Sequence, residues 1–335
     1  MLKSEKLIKI TGHITFVIIF IFFSTLEAKN LDKYNKADNI ADYFSGILLL
    51  NQSKYTDSYQ YFKKLDGLED SHPNYSRKYI YSLINSGNFS QAFSFAKKLN
   101  REKKNNYESD LVLGINYLKN SKYDLAKKHF IKAKRNNSIS VLNNYILNTL
   151  YIWSDLEGST LEEAKLKLNQ LDNRFDNLKK IQNVFLHCYF NSKDTDLLFN
   201  KLISNEKTDF SRYNYFYARH LDNKGQKIEA RKIIKKALKK YPRNLILNQY
   251  EVNLELQKNF SDFNCSNKVE IVAELLYIAA NALSSQSYFQ TSNFYLNFSK
   301  YLNKNFYSFD TLLAENFYKI EDLESAKKTY QKLRK

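Results

Sequence analysis

Seven glycines and two prolines in 335 residues are too few for most fold classes. All-β folds and α/β folds turn the chain often and place these two residue types at the turns. The glycines here are dispersed, and neither GxxxxGK[ST] nor GxGxxG occurs, so the backbone phosphate cradles that those motifs build are excluded. HExxH and paired CxxC patterns are missing too, and the chain has only Cys188 and Cys265, one Met and one Trp. The expectation is a chain that is almost all helix, with no cofactor or metal and no enzymatic activity.

What is present is ample for a packed interior. Hydrophobic residues make up 43% of the chain, with 26 Tyr and 24 Phe, which argues against disorder. Lys and Arg outnumber Asp and Glu by 52 to 35, giving a formal charge of +17. A field of that size favours anionic partners. Yet lysine is abundant almost everywhere, beside much Asn and Ile, as in AT-rich bacterial genomes. The charge therefore reads first as a diffuse solvated face.

The N-terminus, MLKSEKLIKITGHITFVIIFIFFSTLEA, places Lys3, Lys6 and Lys9 before the apolar block Ile14 to Phe23, followed by a polar stretch from Lys29. This is the order of a secretory signal. The block is about half the ~20 residues needed to cross a bilayer, which favours removal after Ala28. Leu26 fits poorly two positions before that cut, so the alternative is an anchor retained in the inner membrane. No Cys follows the block, so lipidation is not expected. The predicted location is periplasmic, of the Gram-negative type. Losing three Lys and two Glu with the signal lowers the charge by only one. In an oxidising compartment Cys188 and Cys265 either join or lie buried separately as small apolar side chains; spacing does not decide.

Self-similarity appears at a period of 34. Gly46, Ile80 and Gly114 are so spaced. Nine residues after each stand Tyr55, Phe89 and Tyr123, and twelve after stand Ser58, Ala92 and Ala126. The same ruler takes Ala218 to Ala230, Ile234 and Ala237, Ala280 to Phe289, Ser292 and Leu296, and Ala314 to Leu323, Ala326 and Tyr330. Small side chains recur where two helices would cross closely, and large ones where neighbouring hairpins would meet. Pro73 and Pro242 fall on repeat boundaries, and Gly87 and Gly225 on turns.

These residues resemble the tetratricopeptide repeat, a helix-turn-helix unit of 34 residues. The resemblance implies an all-α fold, a right-handed α-solenoid of stacked hairpins. Residues 1–28 are the signal, 29–38 a linker, and 39–335 the array. Clear units lie near 39–72, 73–106, 107–140, 211–244, 273–306 and 307–335, with degenerate ones over 141–210 and 245–272. In the irregular part, 141–153 pairs with 161–171 and 178–191 with 195–203. Residues 245–257 form a lone helix before a loop, KNFSDFNCSN. The array stops at Lys335 without a polar capping helix, as in a truncated longer array or an end that docks something.

Arrays of this family are scaffolds whose concave groove, lined by the first helices, holds a peptide or a partner helix. One subclass clasps C-terminal carboxylates of chaperones with Lys and Asn; Arg77, Tyr81 and Val112 stand at those places here, so that clamp is absent. By helical phase the candidate groove residues are Tyr43, Ile47, Arg77, Tyr81, Leu111, Ile115, Arg212, Tyr215, Arg219, Tyr277 and Asn281. Each has the alternative of packing against the next hairpin. In YFYARHLDNKGQKIEARKIIKKALKKYPRN, residues 215–244, the apolar stripe leaves Arg231, Lys232, Lys235, Lys236, Lys239 and Lys240 on the convex, solvent side. The functional expectation is a non-enzymatic protein-protein interaction scaffold of the bacterial envelope with a protein or peptide partner. The alternatives are weak contact of the lysine-rich face with a membrane or polyanion, or the repeat portion of a longer protein. No sequence-specific nucleic-acid binding is expected. His187 beside Cys188 points about 100° away from it on a helix, so this pair reads as packing rather than as nucleophile and base.

Overall fold

The computed structural model describes residues 37–70, 72–135, 140–256 and 262–333. The predicted signal and most of the predicted linker lie outside these. The described residues form 17 α-helices and two short 3-10 turns, with no strand among them. The chain divides into two compact units, one ending at Ser82 and the other beginning at Leu83. No described helix is long and apolar enough to cross a membrane.

The 34-residue period is written into the backbone of the turns. Ser53, Gly87 and Ser121 have φ of 60°, 79° and 57°; Asn191 and Gly225 have 52° and 78°; Ser287 and Glu321 have 64° and 62°. Within each group the spacing is one period. In every case the left-handed residue bonds back to the carbonyl three residues earlier, and the next N–H reaches five back, as Gly225 N to Asp222 O and Gln226 N to Leu221 O. This is the Schellman closure of a helix C-terminus. Only two of the seven positions use glycine, at some steric cost to the other five, which is how so few glycines suffice.

The first unit holds α1 (Ala37–Asn51), α2 (Tyr55–Lys63) and α3 (Pro73–Asn85) as far as Ser82. Helix α1 starts within the stretch expected to be linker. A Cβ on Gly46 would meet the Phe62 ring at 2.8 Å, so only glycine lets the two helices cross there. The Ser58 hydroxyl donates to the Gly46 carbonyl across the same crossing, 2.8 Å. Tyr75 closes the core by donating to the Phe62 carbonyl at 2.8 Å.

The second unit continues with α4 (Phe89–Arg101), α5 (Tyr107–Lys119), α6 (Tyr123–Lys134), α7 (Val141–Ser154) and α8 (Leu161–Asn169). Then come α9 (Asp176–Tyr189), α10 (Thr195–Ile203), α11 (Tyr213–Asn223), α12 (Lys227–Lys240) and α13 (Leu245–Glu255). It ends with α14 (Lys268–Ser285), α15 (Phe289–Leu302), α16 (Ser308–Lys319) and α17 (Leu323–Leu333). Nine residues past Gly46, Ile80, Gly114, Ala218, Ala280 and Ala314, the residues Tyr55, Phe89, Tyr123, Lys227, Phe289 and Leu323 each begin a second helix. Ala92, Ala126, Ala230 and Ser292 at the crossings are fully buried, and the Ser292 hydroxyl repeats the Ser58 bond by donating to the Ala280 carbonyl at 2.7 Å. The irregular pairs α7/α8 and α9/α10 also form where expected. Glu163 opens α8 in a capping box with Thr160.

One feature departs from a simple array, in which each repeat touches only its neighbours. The α14/α15 hairpin packs back onto the first helices α5 and α7. The Tyr107 and Tyr295 hydroxyls are 2.8 Å apart, and Tyr295 also donates to Asn143 Oδ1 at 2.7 Å. Tyr301 donates to Asn116 Oδ1 at 2.6 Å, its ring stacks on Phe89 at 4.4 Å, and the Lys119 ammonium lies 3.6 Å over that ring.

Candidate functional site

Packing among the described helices leaves only some of the expected first-helix residues open. Leu111 and Ile115, expected in a groove, are wholly buried. Tyr215 is buried too, stacked on Phe306 at 5.6 Å with Tyr250 edge-on at 5.3 Å. Arg219 is held inside by Asp222 at 2.7 Å and Asp262 at 3.0 Å. These four pack the interior instead of facing a ligand. In the first unit Arg77 is exposed, while Tyr43, Ile47 and Tyr81 are half-buried, Tyr43 with its ring 4.7 Å from that of His72.

Arg212, Tyr277 and Asn281 come together in an open cleft of about 500 Å³. Five elements converge on it: the start of α9 with Asn177, the start of α11, the cap and first turn of α13 with Asn244 and Leu245, the middle of α14, and α16 with Thr311 and Glu315. The volume is in the range of sites that hold a small ligand or a few residues of peptide.

An ion pair forms the floor. Arg212 Nε and Nη2 donate to the two carboxylate oxygens of Glu274 at 2.7 and 2.8 Å, and Nη2 also reaches Ser308 Oγ at 3.1 Å. The guanidinium lies 3.9 Å over the Tyr277 ring. Burial pulls the Arg212 pKa down, but Glu274 and Tyr277 more than offset this and hold it above the ordinary value. Burial pushes the Glu274 carboxyl up, opposed by Arg212. Bidentate geometry of this kind fixes both planes and stiffens the cleft.

Around the floor the cleft is mixed. Leu245, 69% exposed, is an apolar surface with no cover among the described residues. Asn177 and Asn281 are exposed and offer donors and acceptors together. Arg212 is the only Arg or Lys among the lining residues and Glu274 neutralises it, whereas Asp209 and Glu315 also line the site. Two carboxylates thus line the mouth, with the Lys180 ammonium beside it donating to Asn177 Oδ1 at 3.1 Å.

The lysine ridge lies elsewhere. Arg231, Lys232, Lys235, Lys236, Lys239 and Lys240 of α12 are all exposed. Lys232 pairs with Glu229 at 2.8 Å.

A second cluster was half visible in the sequence, which left the joining of Cys188 and Cys265 open and did not point to His220. Cys188 and Cys265 are joined in a disulfide with Cα atoms 5.8 Å apart, and His220 lies against it. Adjacency drew attention to His187, which instead contacts Ser192 Oγ at 3.0 Å. The available signal was spacing: His220 follows Cys188 by 32 residues, close to one period, which puts both on neighbouring first helices.

No family model matches the chain, and no curated protein matches it. Among solved structures, the crystal structure of yeast Tom70 overlays with a TM-score of 0.29 at 14% identity, covering 90% of this chain and 69% of that one. The structure of Naa15/Naa10 bound to HypK-THB gives 0.25 at 15% identity over 88% of this chain. The chain covers only 63% of that second protein's length. Overlays this loose do not define a shared fold, and the hairpin array rests on its own packing.

Proposed function

We propose that the protein is a non-catalytic interaction scaffold that holds a short extended segment of a partner protein in the cleft around Asn281. The observation that carries this reading is that the cleft is left open where first helices converge, while Leu111 and Ile115 on α5 are wholly buried. Leu245 and Ile278 supply apolar contact, and Asn177 and Asn281 can bond a main chain in both senses. Asp209 and Glu315 select neutral or basic segments over acidic ones. The order of the first 28 residues supports a place in the cell envelope.

The test is selection of a displayed peptide library on the soluble chain. Enriched peptides should carry Lys or Arg beside an aliphatic residue and should lose binding to Asn281→Arg and Leu245→Arg. Failure to enrich any sequence, or peptides that bind those variants as well as the parent, would remove the reading.

A second reading rests on the exposed α12 ridge, which presents six cations on one helix face. It predicts binding of an anionic polymer or anionic vesicles that weakens steeply with salt. Insensitivity of such binding to Lys235→Glu with Lys239→Glu would discard it.

A further inference from the structure

The disulfide sits in an environment that a disulfide alone does not use. Cys188 lies near the end of α9, Cys265 lies in the stretch before α14, and His220 lies on α11; all three are buried. His220 Nδ1 is 3.1 Å from Cys188 Sγ and 3.7 Å from Cys265 Sγ. Its other nitrogen, Nε2, is 3.2 Å from Asp196 Oδ1, while Asp196 Oδ2 holds the Lys224 ammonium at 3.0 Å. Phe199 stacks on the imidazole at 5.7 Å and fixes its plane.

The tautomer follows from these partners. An ionised carboxylate only accepts, so Asp196 draws the ring proton to Nε2, leaving a lone pair on Nδ1 aimed at the two sulfurs. A disulfide has no S–H to offer. His220 is 8% exposed, so in the oxidised state a buried acceptor lacks a donor among the described residues. Two sulfurs and a neutral imidazole nitrogen, with a carboxylate on the far nitrogen, are the donor set and outer partner of a thiolate-imidazole metal centre.

We propose that Cys188, Cys265 and His220, in the dithiol state, bind a thiophilic divalent cation of the zinc kind, and that the disulfide is the oxidised, metal-free state of the same site. A dithiol reductant supplies two electrons and two protons, leaves as its own disulfide, and converts the bridge to two thiols. The cation then forms two metal–sulfur bonds, displacing the two thiol protons, and a third bond to Nδ1. Thiolates about 2.3 Å from zinc stand roughly 3.8 Å apart, a separation that side-chain rotation reaches from Cα atoms 5.8 Å apart. The fourth position of the tetrahedron is left for water or a further ligand.

The experiment uses the full chain, reduced with a phosphine and shown to carry two free thiols, then titrated with Co(II) and competed with Zn(II). The expected result is one equivalent of Co(II) with a thiolate-to-metal charge-transfer band, displaced by zinc, and no band from the oxidised protein. Cys188→Ser and Cys265→Ser should abolish the band. Because a cysteine variant could fail to fold, Asp196→Asn at the outer edge gives a second reading: zinc affinity should fall about 10- to 100-fold. The proposal is overturned if reduced parent shows no thiolate band, if Asp196→Asn binds zinc as the parent does, or if the bridge yields to the reductant only on unfolding.

Discussion

The hydroxyls of Tyr107 and Tyr295 lie 2.8 Å apart across 188 residues of sequence, and burial holds both phenols above their ordinary pKa. This contact ties the α14/α15 hairpin to α5, and with Asn143 it makes Tyr295 the centre of a buried polar network. Tyr295→Phe removes both bonds and leaves the Asn143 side chain short of a partner. Urea denaturation should show a loss of about 1 to 3 kcal/mol. Parent-like stability would mean the return hairpin is not held this way.

The helix crossings give a second expectation. Ala230→Leu overpacks the α11/α12 crossing and should cost about 1 to 3 kcal/mol. Gly114→Ala should destabilise as well, because its Cβ would run into the Phe130 ring. Thermal melts unchanged in both variants would show the repeat register to be wrong.

Much of the fold was legible because the period acts through local geometry. A first-helix crossing residue followed after nine by the start of the second helix requires only hairpin packing, and the spacing found Tyr55, Phe89, Tyr123, Phe289 and Leu323. The left-handed turn residue was less visible, since Ser53, Ser121, Asn191, Ser287 and Glu321 fill a place where glycine is the usual signal. Nothing in a 34-residue repeat encodes a contact between Asn116 and Tyr301, so the return hairpin was not foreseen, and helical phase alone offered Leu111 and Ile115 to a groove although both are buried. Arg219 misled for a related reason. Its partner Asp262 sits in the stretch where the repeat phase slips. Of the candidate site, Arg212, Tyr277 and Asn281 were found by helical phase, but Asn177, Leu245 and Glu315 join them only through the folded arrangement.

The cleft floor should be sensitive to charge. Glu274 is fully buried, and Glu274→Gln leaves the Arg212 guanidinium without its counter-charge. The cost should be about 3 kcal/mol, at the low end for a broken buried pair because the Arg212 side chain keeps 16% exposure. Arg212→Met with Glu274→Met should recover much of that loss. A double variant as unstable as the single one would show that the pair is needed beyond charge balance.

Acidification should weaken the fold through His220. Burial is the main cause of its lowered pKa, with Asp196 opposing and Lys224 assisting. The unfolded chain therefore binds the proton more readily than the folded one. The contribution is complete above the ordinary value of 6.5 and is lost as pH falls below it toward the folded value. Chemical denaturation between about pH 7 and 5 should show the parent losing more stability than His220→Gln. Equal slopes would contradict the buried neutral imidazole.

The central claim is that the open cleft, and not the lysine ridge, is the binding surface. Its most direct measurement is the affinity of a selected basic-aliphatic peptide for the parent, for Asn281→Arg, and for the ridge variant Lys235→Glu with Lys239→Glu. The account predicts that binding falls at least about tenfold, or 1.4 kcal/mol, in Asn281→Arg and stays within about twofold in the ridge variant. Unchanged affinity in Asn281→Arg, or a loss confined to the ridge variant, would contradict it.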